Sequence, residues 1–285
     1  MNELTHESGV SIEPVDFERR FGGLRRLYGM VGAQRIFDAH VVVVGIGGVG
    51  SWAVEALARS GVRRLTLIDL DHVSESNINR QIHALEPTLG QGKALAMRER
   101  IALFHPACVV DVIEDFVDSE NWPALLDPLA LPEGARPDAV IDACDQVRAK
   151  TALAGWALST GIPLVSAGAA GGKTQAHAID VGELAHVTHD PLLAQLRYRL
   201  RKFHGAPRTG PIGVVCVFSR ETVRPPDASC GIEAGDSSLN CHGYGSVVSV
   251  TASFGMCAAG WVLNALSADF STSLSRSLKT QKKTL

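Results

Sequence analysis

Short apolar runs alternate with amphipathic stretches through the first two thirds of the chain. His40–Gly45 holds four consecutive valines, and Arg64–Asp69, Val109–Glu114, Ala139–Ala143 and Pro163–Ala167 are further short apolar runs. Continuous apolar runs of this length, bounded by turn residues, predict strands buried on both faces. Between them the spacing turns helical. Gly48–Ser60 predicts a helix stopped by Gly61, a helix C-terminal glycine. Gly92–Phe104 carries Ala94, Leu95, Met97, Ile101 and Leu103 as an apolar stripe, and Arg148–Thr160 ends at Gly161. Glu18–Phe37 predicts a helical lead-in broken around Gly22-Gly23 and Gly29. The alternation predicts an α/β fold with a Rossmann-like, mostly parallel, doubly wound sheet covered on both faces.

After Gly168 the pattern weakens. Lys173–Asp180 and Gly213–Ser219 predict later strands that extend the sheet in an antiparallel sense, and the proline-rich stretch Pro123–Pro137 predicts a surface excursion. Residues 1–16 read as a flexible leader, 17–270 as one folded domain, and 271–285, rich in Ser, Thr and Lys, as a disordered tail. Ser237–Ala268 contains no Asp, Glu, Lys or Arg. A bilayer span needs about 20 mainly apolar residues. Gly243, Gly245, Gly255 and Gly260 interrupt the run, so it reads as a buried strand or loop followed by a core helix, with no stable membrane association expected.

Composition narrows the classes without choosing among them. The 285 residues carry a formal net charge of −3, so no global basic field advertises a nucleic acid. The polar N-terminus is not a secretory signal. Six cysteines, at 108, 144, 216, 230, 241 and 257, form no C-x-x-C pair. That excludes the usual structural zinc spacing and suits buried thiols in a reducing cytoplasm.

Candidate chemistry starts at the first strand. Gly45, Gly47 and Gly50, with Gly48 between them, fit G-x-G-x-x-G. Such a loop gives a tight turn, close approach of a phosphate, and helix–strand packing, with the helix N-terminus favouring an anion. Asp69 ends the second strand, where a carboxylate can accept ribose hydroxyls. This much says only that an adenine nucleotide binds, and NAD is the usual guess. Arg80, inside Asn77-Ile78-Asn79-Arg80-Gln81, and Lys93, after Gly90-Gln91-Gly92, change the picture. A polyphosphate needs such cations, although surface Arg and Lys are common. Asp145, in Asp142-Ala143-Cys144-Asp145, follows a strand, where a carboxylate can hold Mg²⁺ between phosphate oxygens; capping the next helix is the alternative. Asp71 and Asn79 join the nucleotide-binding candidates.

The set Gly45–Gly50, Asp69, Asn77–Gln81, Lys93 and Asp145 resembles the superfamily of ubiquitin-activating enzymes, MoeB and ThiF. Arg20-Phe21-Gly22-Gly23, Arg26-Leu27-Tyr28-Gly29, Asn79–Leu85, Ile162–Val165 and Val217-Phe218-Ser219 are similar to the branch of tRNA threonylcarbamoyladenosine dehydratases. The resemblance covers roughly residues 17–268 and implies a ThiF-like adenylation domain over 17–270. It further implies ATP- and Mg²⁺-dependent activation of the threonyl carboxylate of threonylcarbamoyladenosine in tRNA. Ring closure then releases AMP with net loss of one water. On that resemblance Asp69 holds ribose, Arg80 and Lys93 neutralise phosphate, and Asp145 holds the metal. A homodimer in the cytoplasm is expected, while a monovalent cation and a sulfur-relay partner stay open.

The chain also departs from these relatives. A MoeB-like arginine that reaches the partner subunit's site has Gly23 near its place, with Arg20 and Arg26 as substitutes. The Asp-Asn pair reads Asp145-Gln146. Cys216 and Cys230 are the candidates for an acyl-accepting thiol, but neither has a neighbouring His or helix start to lower its pKa. Arg197, Arg199, Arg201 and Lys202 form a dense basic segment, with His204 and Arg208 nearby and Lys279, Lys282 and Lys283 in the tail. It predicts an RNA landing surface, with a solvated helix face as the plain alternative. The competing functions are adenylation of a ubiquitin-like sulfur carrier, an NAD-dependent oxidoreductase, and an RNA-binding scaffold.

Overall fold

The computed structural model describes residues 16–129, 135–227 and 244–268. Residues 1–15 of the leader, the tail with its three lysines, Cys230, Cys241 and the start of the uncharged stretch lie outside the described residues. The helices are α1 (Phe17–Phe21), α2 (Gly23–Asp38), α3 (Gly50–Arg59), α4 (Lys93–Ala102), α5 (Val147–Thr160), α6 (Pro191–Phe203) and α7 (Val248–Ser267). The strands are β1 (His40–Val44), β2 (Arg64–Ile68), β3 (Val109–Ile113), β4 (Ala139–Asp142), β5 (Leu164–Ala167), β6 (Ile179–Glu183) and β7 (Val215–Ser219).

All seven strands form one sheet in the order β3-β2-β1-β4-β5-β7-β6. Pairing is parallel except between β6 and β7. The five strands expected in the first part are present with ends shifted by a residue or two, within ordinary helix and strand fraying. The lead-in breaks where glycine predicts it: Gly22 separates α1 from α2, and Gly29, at φ 73°, kinks α2. The antiparallel extension in the last third is the β6–β7 pair, with β7 itself parallel to β5; the edge strand is shorter than expected, Lys173–Thr174 being loop and β6 starting only at Ile179. β6 is half-buried, so its alternation is too weak to mark its ends.

The four valines of β1 show why the run is unbroken. Val41 and Val43 face a core formed with α2, α3, α4 and α7; Val42 and Val44 face a second core with α5 and α6. Period-two alternation with both faces covered requires an apolar residue at every position. α7 is the one helix among the described residues long and apolar enough to cross a membrane by length and composition. Here Val250, Phe254, Ala258 and Val262 are fully buried, and Gly255 lets the helix lie against α3: a Cβ there would sit 2.8 Å from the Ala53 amide nitrogen. The segment is a core helix in this fold.

His83, next to the α4 start, is buried and neither ring nitrogen has a hydrogen-bond partner. Burial lowers its pKa to about 4, helped by the charges of Lys93 and Arg100. The folded ring therefore stays neutral while the unfolded ring takes a proton below pH 6.5. Stability is complete above that pH and is lost as pH falls towards 4, by roughly 3 kcal/mol from this residue. Urea melts at pH 7.5 and 5 should show about 2 kcal/mol of that loss, and His83→Met should flatten much of the difference. An equal pH dependence in the variant would assign it to other groups.

Candidate functional site

The chain runs from β1 outward to β2 and β3, then returns to β4 on the other side of β1. The carboxyl ends of β1 and β4 thus diverge at a topological switch point, the place where open α/β sheets take ligands. A cleft of about 380 Å³ opens there. Gly45, Gly47, Gly48, Asp69, Asp71, Arg80, Lys93 and Asp145 all line it. Their elements are far apart in sequence: the β1–α3 turn, the end of β2, the loop through Arg80, the first residue of α4, and the loop after β4.

The glycine turn is held by backbone and carboxylate together. Gly45, at φ 85°, donates its N–H to the Ile68 carbonyl at 2.9 Å. Asp69 Oδ2 accepts the Ile46 amide at 2.5 Å, and its Oδ1 accepts the Asp71 amide at 2.8 Å. Burial raises the Asp69 pKa, while Lys93 and the two amide bonds oppose that rise. α3 then starts at Gly50 with no side-chain cap; the Ser51 amide donates to the Gly47 carbonyl at 3.1 Å, and the positive end of the helix dipole faces the turn, where it favours an anion.

The two cations are held differently. Lys93 is buried rather than one of the common surface lysines, and its ammonium pairs with Asp71 Oδ2 at 2.7 Å. Arg80 Nη1 donates to the Ser76 carbonyl at 2.5 Å and to Asn79 Oδ1 at 2.9 Å. Trp52 Nε1 donates to the Arg80 carbonyl at 3.0 Å. Asn79 does not line the cleft; its amide donates to the Ser246 carbonyl at 3.0 Å, so it braces Arg80 from outside. Asp145 is exposed and does not cap α5, whose N-cap is Gln146. Among the described residues no group of three or more His, Cys, Asp or Glu could hold a metal. A single carboxylate suits Mg²⁺, which keeps several waters and shares phosphate oxygens.

Other candidates fall elsewhere. Gly50 lies beneath the turn rather than on the cleft wall, where it packs against Gly45. Arg20 donates to the Phe104 carbonyl at 2.7 Å, and neither it nor the exposed Arg26 lines this chain's own cleft. Cys216 is fully buried on β7, and burial raises its thiol well above the ordinary range, which disfavours a thiolate. The basic segment is the face of α6, and its cations are dispersed. Arg197 donates to the Leu184 and Val187 carbonyls at 3.0 Å, Arg199 to Thr151 Oγ1 at 3.0 Å and Arg201 to the Pro207 carbonyl at 3.1 Å. Lys202 is exposed, against the rings of Tyr198 and Phe203.

Asn77 and Gln81, the ends of the Asn77–Gln81 motif, are buried on the cleft wall. Other lining residues escape a motif reading: Phe116 stands half exposed beside the cleft after β3. Gly168–Gly171 line it after β5, and Thr251 lines it from α7. The small-residue run after an apolar strand was the available signal for the β5 loop; Phe116 and Thr251 carry none.

Comparison with known proteins gives the family. Residues 21–284 match the ThiF family. The chain is 43% identical over 261 residues to the tRNA threonylcarbamoyladenosine dehydratase of Escherichia coli (strain K12), covering 88% of this chain and 95% of the relative. It is 40% identical over 255 residues to the enzyme of that name from Haemophilus influenzae, covering 88% and 94%. A crystal structure of the Escherichia coli enzyme in complex with ATP matches with a TM-score of 0.78 at 42% identity, covering 90% of this chain and 96% of that one.

Proposed function

The chain belongs to the ThiF family, and on that premise we infer that it is an ATP-dependent enzyme that dehydrates threonylcarbamoyladenosine in tRNA by adenylating its threonyl carboxylate. The observation that carries this reading is the gathering of the glycine turn, Arg80, Lys93 and Asp145 around one cleft. An NAD-dependent oxidoreductase has no task for Lys93 and Asp145. Transfer of an acyl group to a thiol finds no support in the buried Cys216.

The residues divide the work electrostatically. The α3 N-terminus and the open backbone at Gly47 receive phosphate, Arg80 and Lys93 offset its charge, and Asp69 meets ribose. Asp145 would hold Mg²⁺, which would supply further charge neutralisation. Asp71 fixes the Lys93 ammonium at 2.7 Å. Because Arg20 and Arg26 lie outside their own cleft, we place them towards the cleft of a second copy in a homodimer. The cytoplasm, where tRNA is available, is the expected site of action.

The test is incubation of the protein with ATP, Mg²⁺ and tRNA bearing threonylcarbamoyladenosine. Mass spectrometry of the digested nucleosides should show loss of one water, with AMP released in step. Folded protein that leaves the nucleoside mass unchanged would refute the reading.

Of the α6 cations named above, Lys202 is the exposed one, lying against the Tyr198 and Phe203 rings, and so the best placed to meet a phosphate. Lys202→Ala should weaken tRNA binding and reduce the slope of log affinity against log salt by about 1, while ATP affinity stays the same. Arg197→Ala, by contrast, should act mainly on stability, at about 1 kcal/mol, through the two carbonyls it satisfies. Unchanged salt dependence after Lys202→Ala would remove this helix from the RNA surface.

A further inference from the structure

Behind the cleft lies an ionic cluster that the assigned roles do not use. The side chains of Lys150 and Asp142 are fully buried, with Nζ 3.1 Å from Asp142 Oδ1. Lys150 Nζ also donates to Ser166 Oγ at 3.3 Å and to the Ala167 carbonyl at 2.6 Å. Ser166 Oγ donates to Asp142 Oδ2 at 2.6 Å, and the Cys144 thiol donates to Asp142 Oδ1 at 3.0 Å. Burial pulls the ammonium pKa down, but the Asp142 carboxylate outweighs it and holds Lys150 above the ordinary lysine range. The cluster is therefore ionic.

Its position gives it a task. Asp142 and Ser166 are register partners at the end of the β4–β5 pairing. One residue further, the two backbones leave the ladder: Ala143–Gln146 form one wall of the cleft and Gly168–Gly171 another. Lys150 reaches from the first turn of α5 to the last residue of each strand. A buried ion pair is a poor source of net stability, since desolvation consumes much of the attraction. It does impose fixed geometry on every group it satisfies.

We infer that Lys150 is a positioning residue, which with Asp142 and Ser166 sets the spacing of the Asp145 loop and the Gly168–Gly171 loop. The activity arm of its test rests on the dehydratase reading above; the structural arm does not. Nothing in this role requires Lys150 to touch substrate.

The double variant Asp142→Asn/Lys150→Met removes both charges at nearly constant volume, so no buried charge is orphaned. Backbone amide exchange reads the loops directly. Ala143, Gly168 and Ala169 donate to the Val44 carbonyl, the Val217 carbonyl and Asp190 Oδ2 at 2.8, 2.8 and 2.9 Å. Their exchange should speed up at least about tenfold, with β1 and β2 amides unchanged. kcat for AMP formation should fall about 10- to 100-fold, with the KM for ATP within about threefold. Exchange that rises uniformly across the sheet, or unchanged kcat with unchanged loop exchange, would overturn the inference. Should the double variant not fold, Ser166→Ala keeps the ion pair and should give a smaller change in the same two readouts; no change in either would overturn it equally. If the wild-type protein leaves threonylcarbamoyladenosine intact, the dehydratase reading fails, while loop exchange still decides the role of Lys150.

Discussion

Replacing Lys93 by methionine should lower AMP formation about 100- to 1000-fold while leaving the protein folded. Loss of a single preorganised group aimed at developing charge costs about 3–4 kcal/mol of transition-state stabilisation. The fold should survive for a specific reason. Truncating one member of a buried ion pair normally strands the other charge. Here the stranded partner, Asp71, has a side chain 58% exposed, so water can solvate it when the ammonium is gone. Methionine keeps the aliphatic stem packed at the α4 start. Asp145→Ala should give a loss of similar size with no change in melting temperature, because Asp145 is exposed. Its residual activity should also need more Mg²⁺. The checks are a timed AMP assay and a thermal melt on each variant. Activity within tenfold of wild type in either one, with the fold intact, would remove that residue from the phosphate-handling set.

The site was legible where one local pattern carried both fold and chemistry. The valine run, the glycine turn and Asp69 lie in one βαβ unit, so sequence spacing nearly equals spatial arrangement. Arg80, Lys93 and Asp145 could be singled out beside turn residues and at a strand end, yet their convergence on one cleft depends on the return of the chain to β4. The Lys150 cluster was not legible. Its donors and acceptors sit on α5, β4 and β5, and nothing in Val147–Thr160 marks one lysine as buried. The basic run on α6 is less uniform than its sequence: Arg197 and Arg201 are i,i+4 neighbours on the helix, yet their hydrogen bonds commit them to different backbone carbonyls. Arg20 and Arg26 were tied to the nucleotide by resemblance alone, and a single chain does not bring them to its cleft.

Two glycines of the same turn should respond oppositely to an added methyl group, and the contrast separates architecture from ligand contact. A Cβ on Gly50 would overlap the Gly45 carbonyl oxygen and lie 2.9 Å from the Gly45 carbonyl carbon. Neither atom is the end of a flexible side chain. Gly45 cannot retreat, because its own N–H is tied to Ile68 and a Cβ on it would meet the Ala143 carbonyl at 2.9 Å. Gly50→Ala should therefore cost about 3 kcal/mol or more, by the usual penalty for overpacking against backbone, and abolish ATP binding with it. A Cβ on Gly47 would meet nothing closer than Gln81 Nε2 at 3.9 Å. Gly47→Ala should fold with an unchanged melt and still lose ATP affinity, about tenfold or more, because the methyl stands where a phosphate must approach the backbone. Calorimetric titration with ATP beside denaturant melts on both variants decides the matter. If Gly47→Ala binds ATP as wild type does, the triphosphate does not lie against this turn, and the roles of Arg80 and Lys93 fall with it.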